Sequence, residues 1–160
     1  MIFVTVGSLV PFDRLIRMMD NWSKAHPDTK VHAQIGAGQY VPQAMSWSRS
    51  VSPAEFEQFV ESSEIIVAHA GMGTVITAMQ IGRPLVLVPR SAAHREHTTD
   101  HQLDTARWLD GRPGVKIANT GDTLESAIRE HMANFAGNLD RIGDAAPQSF
   151  LDRIRGALVD

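Results

Sequence analysis

Histidine, two glycines and a threonine stand in close succession at His69-Ala-Gly71-Met72-Gly73-Thr74, directly after the apolar run Ile65-Ile-Val-Ala68. Where a buried strand feeds a helix, the first backbone N–H groups of that helix lack partners and the positive end of its dipole lies beside them. Glycine permits close approach of a phosphate and the Thr74 hydroxyl adds a donor, so this turn is a candidate anion site with His69 at its edge. A tight strand-to-helix connection without any ligand uses the same residues, and the local pattern leaves both readings open. Two nucleotide motifs are absent. Counting from Gly71 or from Gly36, the third glycine of a dinucleotide fingerprint would fall on Ile76 or Val41, and Gly82 is followed by Arg83-Pro84 rather than by a phosphate-binding lysine.

A second group of reactive side chains lies between Pro89 and Gln102, where Arg90, Arg95, Glu96 and Asp100 alternate with His94, His97 and His101. Histidines at i, i+3 and i+7 could ligate zinc from one helix face, but no cysteine or fixed carboxylate accompanies them, and the segment reads as a hydrogen-bonding surface. Asp100, with Thr98 or Thr99, reads as the cap of a following helix whose first turn aims His101 and Gln102 at the Gly71–Gly73 turn. Arg90 and Arg95 lie in this loop. A guanidinium fork suits a carboxylate; the bland alternative is solvation, or pairing with Glu96 and Asp100.

The elements that position these residues alternate between strand and helix. Ile2 to Val6 is a β-branched and aromatic run, and apolar Phe12, Leu15, Ile16 and Met19 follow Pro11 at helical spacing. Val31 to Ile35 is a second strand. An irregular stretch containing Trp47 then leads to Ser52-Pro53-Ala-Glu55, a capping box with proline at the first helical position, opening a helix to about Glu61. Ile65 to Ala68 and Leu85 to Val88 are continuous apolar strands, the kind buried on both faces of a parallel sheet, and the helix between them ends at Gly82-Arg-Pro84. Helices over Asp100 to Leu109, Thr123 to Phe135 and Ser149 to Val159, a strand over Val115 to Ala118 and a loop over Ala136 to Gln148 complete the chain. The order predicts an α/β fold, a Rossmann-like parallel sheet with helices on both faces, as a single domain over residues 1–160. Ligands of such sheets bind beyond the carboxyl ends of the strands, in the loops after Val6, Ile35, Ala68 and Val88.

Composition narrows the function. A chain of 160 residues with 43% hydrophobic and 21% charged residues can bury a core of its own, and a net charge of −3 gives no bulk attraction for nucleic acid or anionic lipid. The absence of cysteine removes disulfide scaffolds, thiol nucleophiles and iron–sulfur sites. No signal-peptide pattern and no membrane-length apolar run is present, so a cytoplasmic location is expected.

Combined, Phe3-Val-Thr-Val-Gly7, Pro11-Phe-Asp-Arg-Leu15, Ser63 to Thr74, Gly82 to Pro89 and Asp100-His101-Gln102 resemble the nucleotide-sugar half of family 28 glycosyltransferases of the GT-B fold. Within that family the chain is most similar to PssE-like small subunits of split exopolysaccharide transferases and to the catalytic subunit of the dolichol-linked UDP-GlcNAc transferase. The resemblance implies a donor diphosphate on Gly71, Met72, Gly73 and Thr74 with His69 nearby, His101 and Gln102 on the donor sugar and nucleotide, and uracil near Trp47 to Val51. Thr77 stands where the family commonly has a ribose-binding carboxylate. It further implies inverting transfer from a UDP-sugar, which is a substrate and no cofactor, without a metal. The acceptor would be polyprenyl-diphosphate-linked and presented by a PssD-like membrane-anchored subunit that holds the chain at the inner face of the membrane, with a homodimer as the alternative second wall. It also puts Arg90 and Arg95 in the loop that faces the donor sugar, where their forks would suit the carboxylate of UDP-glucuronate; UDP-N-acetylglucosamine and UDP-glucose are the other candidate donors, and no residue stands out as the catalytic base. A non-catalytic nucleotide-binding or regulatory module of the same fold is the competing reading.

Overall fold

The computed structural model describes residues 1–134; the expected end of a helix at Phe135, the loop over 136–148 and the helix over 149–159 lie outside the described residues. Among the described residues six strands, β1 (Ile2–Thr5), β2 (Val31–Gln34), β3 (Ser46–Ser48), β4 (Ile65–His69), β5 (Leu85–Val88) and β6 (Val115–Ile117), form one sheet in the order β3-β2-β1-β4-β5-β6. All five pairings are parallel. The helices are α1 (Asp13–Ala25), α2 (Pro53–Ser62), α3 (Met72–Ile81), α4 (His101–Leu109) and α5 (Gly121–Asn134).

Side chains alternate across a strand, and here both sets are apolar because both faces are covered. Ile2, Val4, Ile65, Val67, Val86 and Val88 pack with Leu15, Ile16 and Met19 of α1 and with Leu124 and Ile128 of α5. Their neighbours Phe3, Ile66, Ala68, Leu85 and Leu87 pack with Val60 of α2, Val75 and Ala78 of α3 and Leu109 of α4. Phe3 anchors α2 to the sheet, stacked on Phe59 at 5.0 Å and edge-on to Phe56 at 5.8 Å. This three-layer arrangement is the expected parallel α/β fold, and it fixes the carboxyl ends of all six strands along one edge.

Three local expectations change. The stretch around Trp47 is strand β3 rather than irregular, with Ala33 opposite Trp47. Its order comes from a residue outside it: the buried Asp20 carboxylate accepts hydrogen bonds from Tyr40 Oη (2.6 Å), Gln43 N (2.9 Å) and Ala44 N (2.8 Å), which fastens the loop leading into the strand. Asp100 occupies the cap position of α4 without capping it. Residues 92–94 form a short 3₁₀ turn that presents Ala92 N to Asp100 Oδ1 at 2.8 Å, and the Thr99 hydroxyl bonds His101 Nδ1 at 2.6 Å. Helix α5 starts at Gly121 rather than Thr123, because Thr120 caps it by accepting a hydrogen bond from Thr123 N at 3.3 Å. The start of α2 agrees with expectation: Ser52 accepts from Glu55 N, and the Glu55 carboxylate accepts from Ser52 N at 2.7 Å. Helix α3 ends at Gly82 in the left-handed region, φ 73°.

Candidate functional site

The chain moves outward in one direction from β1 to β3 and in the other from β4 to β6, so the loops leaving β1 and β4 diverge and a crevice opens at the carboxyl ends of these two strands. Two adjoining cavities occupy it, of about 420 and 340 Å³, and both are walled by Gly7, Ser8, Gly73 and Thr74. The larger runs over Gln34 and the start of α2, lined by Val51, Ser52, Pro53, Phe56 and Glu57, with Thr77 opposite. The smaller is lined by His69, Gly71, Arg90, His97, His101 and Gln102 together with the loop after β1.

At the junction lies the start of α3. Gly71 caps it without a side chain, so among the described residues the first-turn N–H groups of Met72, Gly73 and Thr74 have no side-chain capping acceptor, and the turn itself carries no acidic residue. The two glycines of the turn do different work. A Cβ on Gly71 would come within 2.2 Å of His69 Nε2, and one on Gly7 within 2.7 Å of His69 Cε1. Both glycines make room for the imidazole, which is wedged between the two loops. A Cβ on Gly73 would meet nothing within 4 Å, so the open approach for a ligand is at Gly73.

Burial holds His69 neutral, with its pKa pushed down to about 4, and the nearby Arg90 charge acts in the same direction. Its Nδ1 is buried without a hydrogen-bond partner among the described residues. Arg90 is itself buried, and the expectation that it forks toward a sugar meets a different arrangement. Its Nη2 donates to Val6 O (2.7 Å) and to Val10 O, and the guanidinium lies 4.9 Å from the centre of the Phe12 ring. Arg90 therefore secures the loop after β1 while leaving a buried positive charge at the cavity wall. Gln102 completes this wall: its Oε1 accepts from Arg90 N at 3.1 Å.

The sequence-derived residues divide by position. His69, Gly71, Gly73, Thr74, Arg90, His101 and Gln102 converge on the smaller cavity, and Thr77 lines the larger. The Met72 side chain is 43% exposed and lines neither, so it can offer a ligand only its backbone N–H. Arg95 lies outside both cavities, in the left-handed region at φ 56°. Glu96 pairs with neither Arg90 nor Arg95: Arg14 Nε and Nη2 meet its carboxylate at 2.6 and 2.9 Å, tying α1 to the loop after β5. Of the segment from Trp47 to Val51 only Val51 lines the larger cavity, and Trp47 is exposed on the edge strand beside Arg49. His97 and His101 touch edge to face at 4.4 Å, and no set of three metal-ligating side chains including His94 converges among the described residues. The wall contributed by Pro53, Phe56 and Glu57 was not singled out in the sequence, although the capping box just before it marks where it begins.

A doubly wound sheet with an uncapped helix terminus and a buried cation at its switch point suits an anionic ligand, and the sequence places the fold in a family: the chain belongs to the glycosyltransferase family 28 C-terminal domain family, matched over residues 1–147. It is 25% identical over 126 residues to the UDP-N-acetylglucosamine–N-acetylmuramyl-(pentapeptide) pyrophosphoryl-undecaprenol N-acetylglucosamine transferase of Solibacter usitatus (strain Ellin6076), covering 74% of this chain and 34% of that protein. It is 27% identical over 118 residues to the human UDP-N-acetylglucosamine transferase subunit ALG13, covering 68% of this chain and 10% of that protein. The crystal structure of the kitacinnamycin glycotransferase shares the fold, with a TM-score of 0.64 at 21% identity over 83% of this chain and 35% of that one. The chain thus spans about a third of the bacterial relative and a tenth of the human one. No helix among the described residues is long and apolar enough to cross a membrane.

Proposed function

We propose that this chain is the donor-binding part of a glycosyltransferase that holds a UDP-sugar in the crevice between β1 and β4 and passes the sugar to a polyprenyl-diphosphate-linked acceptor. The observation that carries this is the junction of the two cavities, where the uncapped N–H groups of Met72, Gly73 and Thr74 open beside a buried arginine. A diphosphate set there leaves the nucleoside the larger cavity, with Val51, Pro53 and Phe56 as its apolar wall, and the sugar the smaller one, near His101 and Gln102. As the sugar leaves, negative charge grows on the diphosphate, and donors already aimed at it stabilise the transition state more than the ground state. His69, held neutral, can donate from a ring nitrogen without adding charge.

The acceptor and partner rest on the relatives. One is named for a pyrophosphoryl-undecaprenol substrate and the other is named a subunit. The reading for this chain is inverting transfer with a PssD-like membrane-anchored subunit presenting the acceptor, in polysaccharide biosynthesis at the inner face of the membrane. Two experiments test it. Calorimetry should give saturable UDP binding to the purified chain, weakened at least tenfold by Gly73→Val. Assays with UDP-sugars and a polyprenyl-diphosphate acceptor should give poor turnover alone and strong turnover with the membrane subunit. Equal UDP binding by the folded Gly73→Val chain would remove the site assignment; binding without transfer under any pairing would leave a nucleotide-binding module.

A further inference from the structure

Among the described residues the larger cavity has one ionisable side chain in its wall, Glu57. A carboxylate is an unfavourable neighbour for a nucleoside diphosphate unless it faces hydroxyl groups instead of phosphates. The geometry meets that condition: Glu57 lies on α2, across the cavity from the α3 terminus that offers its N–H groups to an anion. Pro53 and Glu57 are one turn apart on the cavity face of α2, and Gly73 and Thr77 one turn apart on that of α3. A nucleoside laid along Pro53 and Phe56 with its phosphates at Gly73 has its sugar ring between Glu57 and Thr77.

Of the other polar groups in the wall, the Ser8 and Thr74 hydroxyls are uncharged and stand beside Gly7 and Gly73 at the phosphate end, and the remaining four are already engaged. Gln34 is fully engaged, its Oε1 accepting from Thr5 Oγ1 at 2.7 Å and its Nε2 donating to Gly7 O at 3.0 Å. The Thr5 hydroxyl also accepts from Gly7 N. Thr77 Oγ1 donates to Gly73 O at 3.0 Å, which leaves it lone pairs only. Ser52 Oγ caps α2. Glu57 makes no hydrogen bond or ion pair among the described residues, and its two oxygens accept without donating. A ribose diol brings two O–H donors in the complementary sense.

We infer that Glu57 is the residue that recognises the ribose hydroxyls of the bound nucleotide, so that this chain selects a ribonucleotide through α2 rather than through α3. The inference rests on the proposed donor site and deepens it. Its test compares UDP with 2′-deoxy-UDP by calorimetry on the full chain, its Glu57→Gln and Glu57→Ala variants, and a Glu61→Gln control on the same helix, each checked for an unchanged melting temperature. The parent and the control should prefer UDP by about tenfold or more, the range for a hydrogen bond to a charged group. Both Glu57 variants should bring the two affinities within about twofold of each other, mainly by weakening UDP. Discrimination that survives Glu57→Gln and Glu57→Ala overturns the assignment while leaving the donor site intact, as does a parent that binds both nucleotides equally well. A parent that binds neither removes the donor-site reading and this inference with it.

Discussion

Gly71 and Gly73 look interchangeable in the sequence, and the structure separates them by one side chain. What distinguishes them is the His69 ring, which fills the space a Gly71 side chain would need and leaves Gly73 open. Gly71→Ala should therefore force the buried imidazole to move and destabilise the fold by about 1–3 kcal/mol, the usual range for overpacking. Gly73→Ala should leave stability unchanged or raise it by up to about 1 kcal/mol, since alanine is the better helix former. Urea unfolding of the two variants checks this, and equal losses would mean that His69 does not determine the role of Gly71. His69 also makes a pH prediction. The unfolded chain takes up a proton near 6.5 and the folded chain only near 4, so below about pH 6.5 the unfolded state holds more protons and stability falls as pH drops toward 4. Between about pH 7.5 and about pH 5 this contributes a loss of about 2 kcal/mol. His131 and His32 shift in the same direction, so the test is the difference between parent and His69→Gln, which should show a shallower fall. The reactive residues were legible because glycine, histidine and arginine cluster after the strands. Whether each faces a ligand or its own backbone was not, since Arg90 is turned by carbonyls eighty or more positions earlier in the chain.

At the scale of elements, what could be read depended on how local the cause was. The α2 start was legible because its cap is complete within four residues, and β4 and β5 because burial on both faces writes a continuous apolar run into the sequence. Strand β3 carries no such mark. Its Ser-Trp-Ser is an edge strand positioned by the ladder to β2 and by Asp20 from a helix some twenty-five residues earlier. The failed cap of α4 has the same origin, because the Asp100 carboxylate is claimed by Ala92. The α2 cap carries a prediction about function as well as stability, since Ser52 and Pro53 are both cap residues and cavity wall. Ser52→Ala should cost about 1 kcal/mol in unfolding experiments and weaken UDP binding by a few fold as the first turn frays. A stability loss with unchanged UDP affinity would show that the α2 end of the cavity is not used.

For the molecule as a whole, the proposed function needs one crevice, at the point where the strand order reverses, to receive the nucleotide from both halves of the sheet. Everything proposed about donor, acceptor and partner depends on that location, and the fold alone does not decide it, because a sheet of this kind can bear a ligand at its switch point or none. The Rossmann order was foreseeable only as a class from the alternation of strands and helices; that β1 and β4 are the strands flanking the crevice follows from pairings that no local pattern encodes. The most direct test is a two-dimensional amide NMR titration of the full chain with UDP. Saturable shifts confined to the crevice are expected: Gly7 and Ser8 after β1, Ser52 to Glu57 at the start of α2, Met72 to Thr77 in α3, and His101 and Gln102 at the start of α4. Shifts clustered elsewhere, for example along β3 or α5, or an unchanged spectrum at saturating UDP, would mean that the crevice is not the nucleotide site.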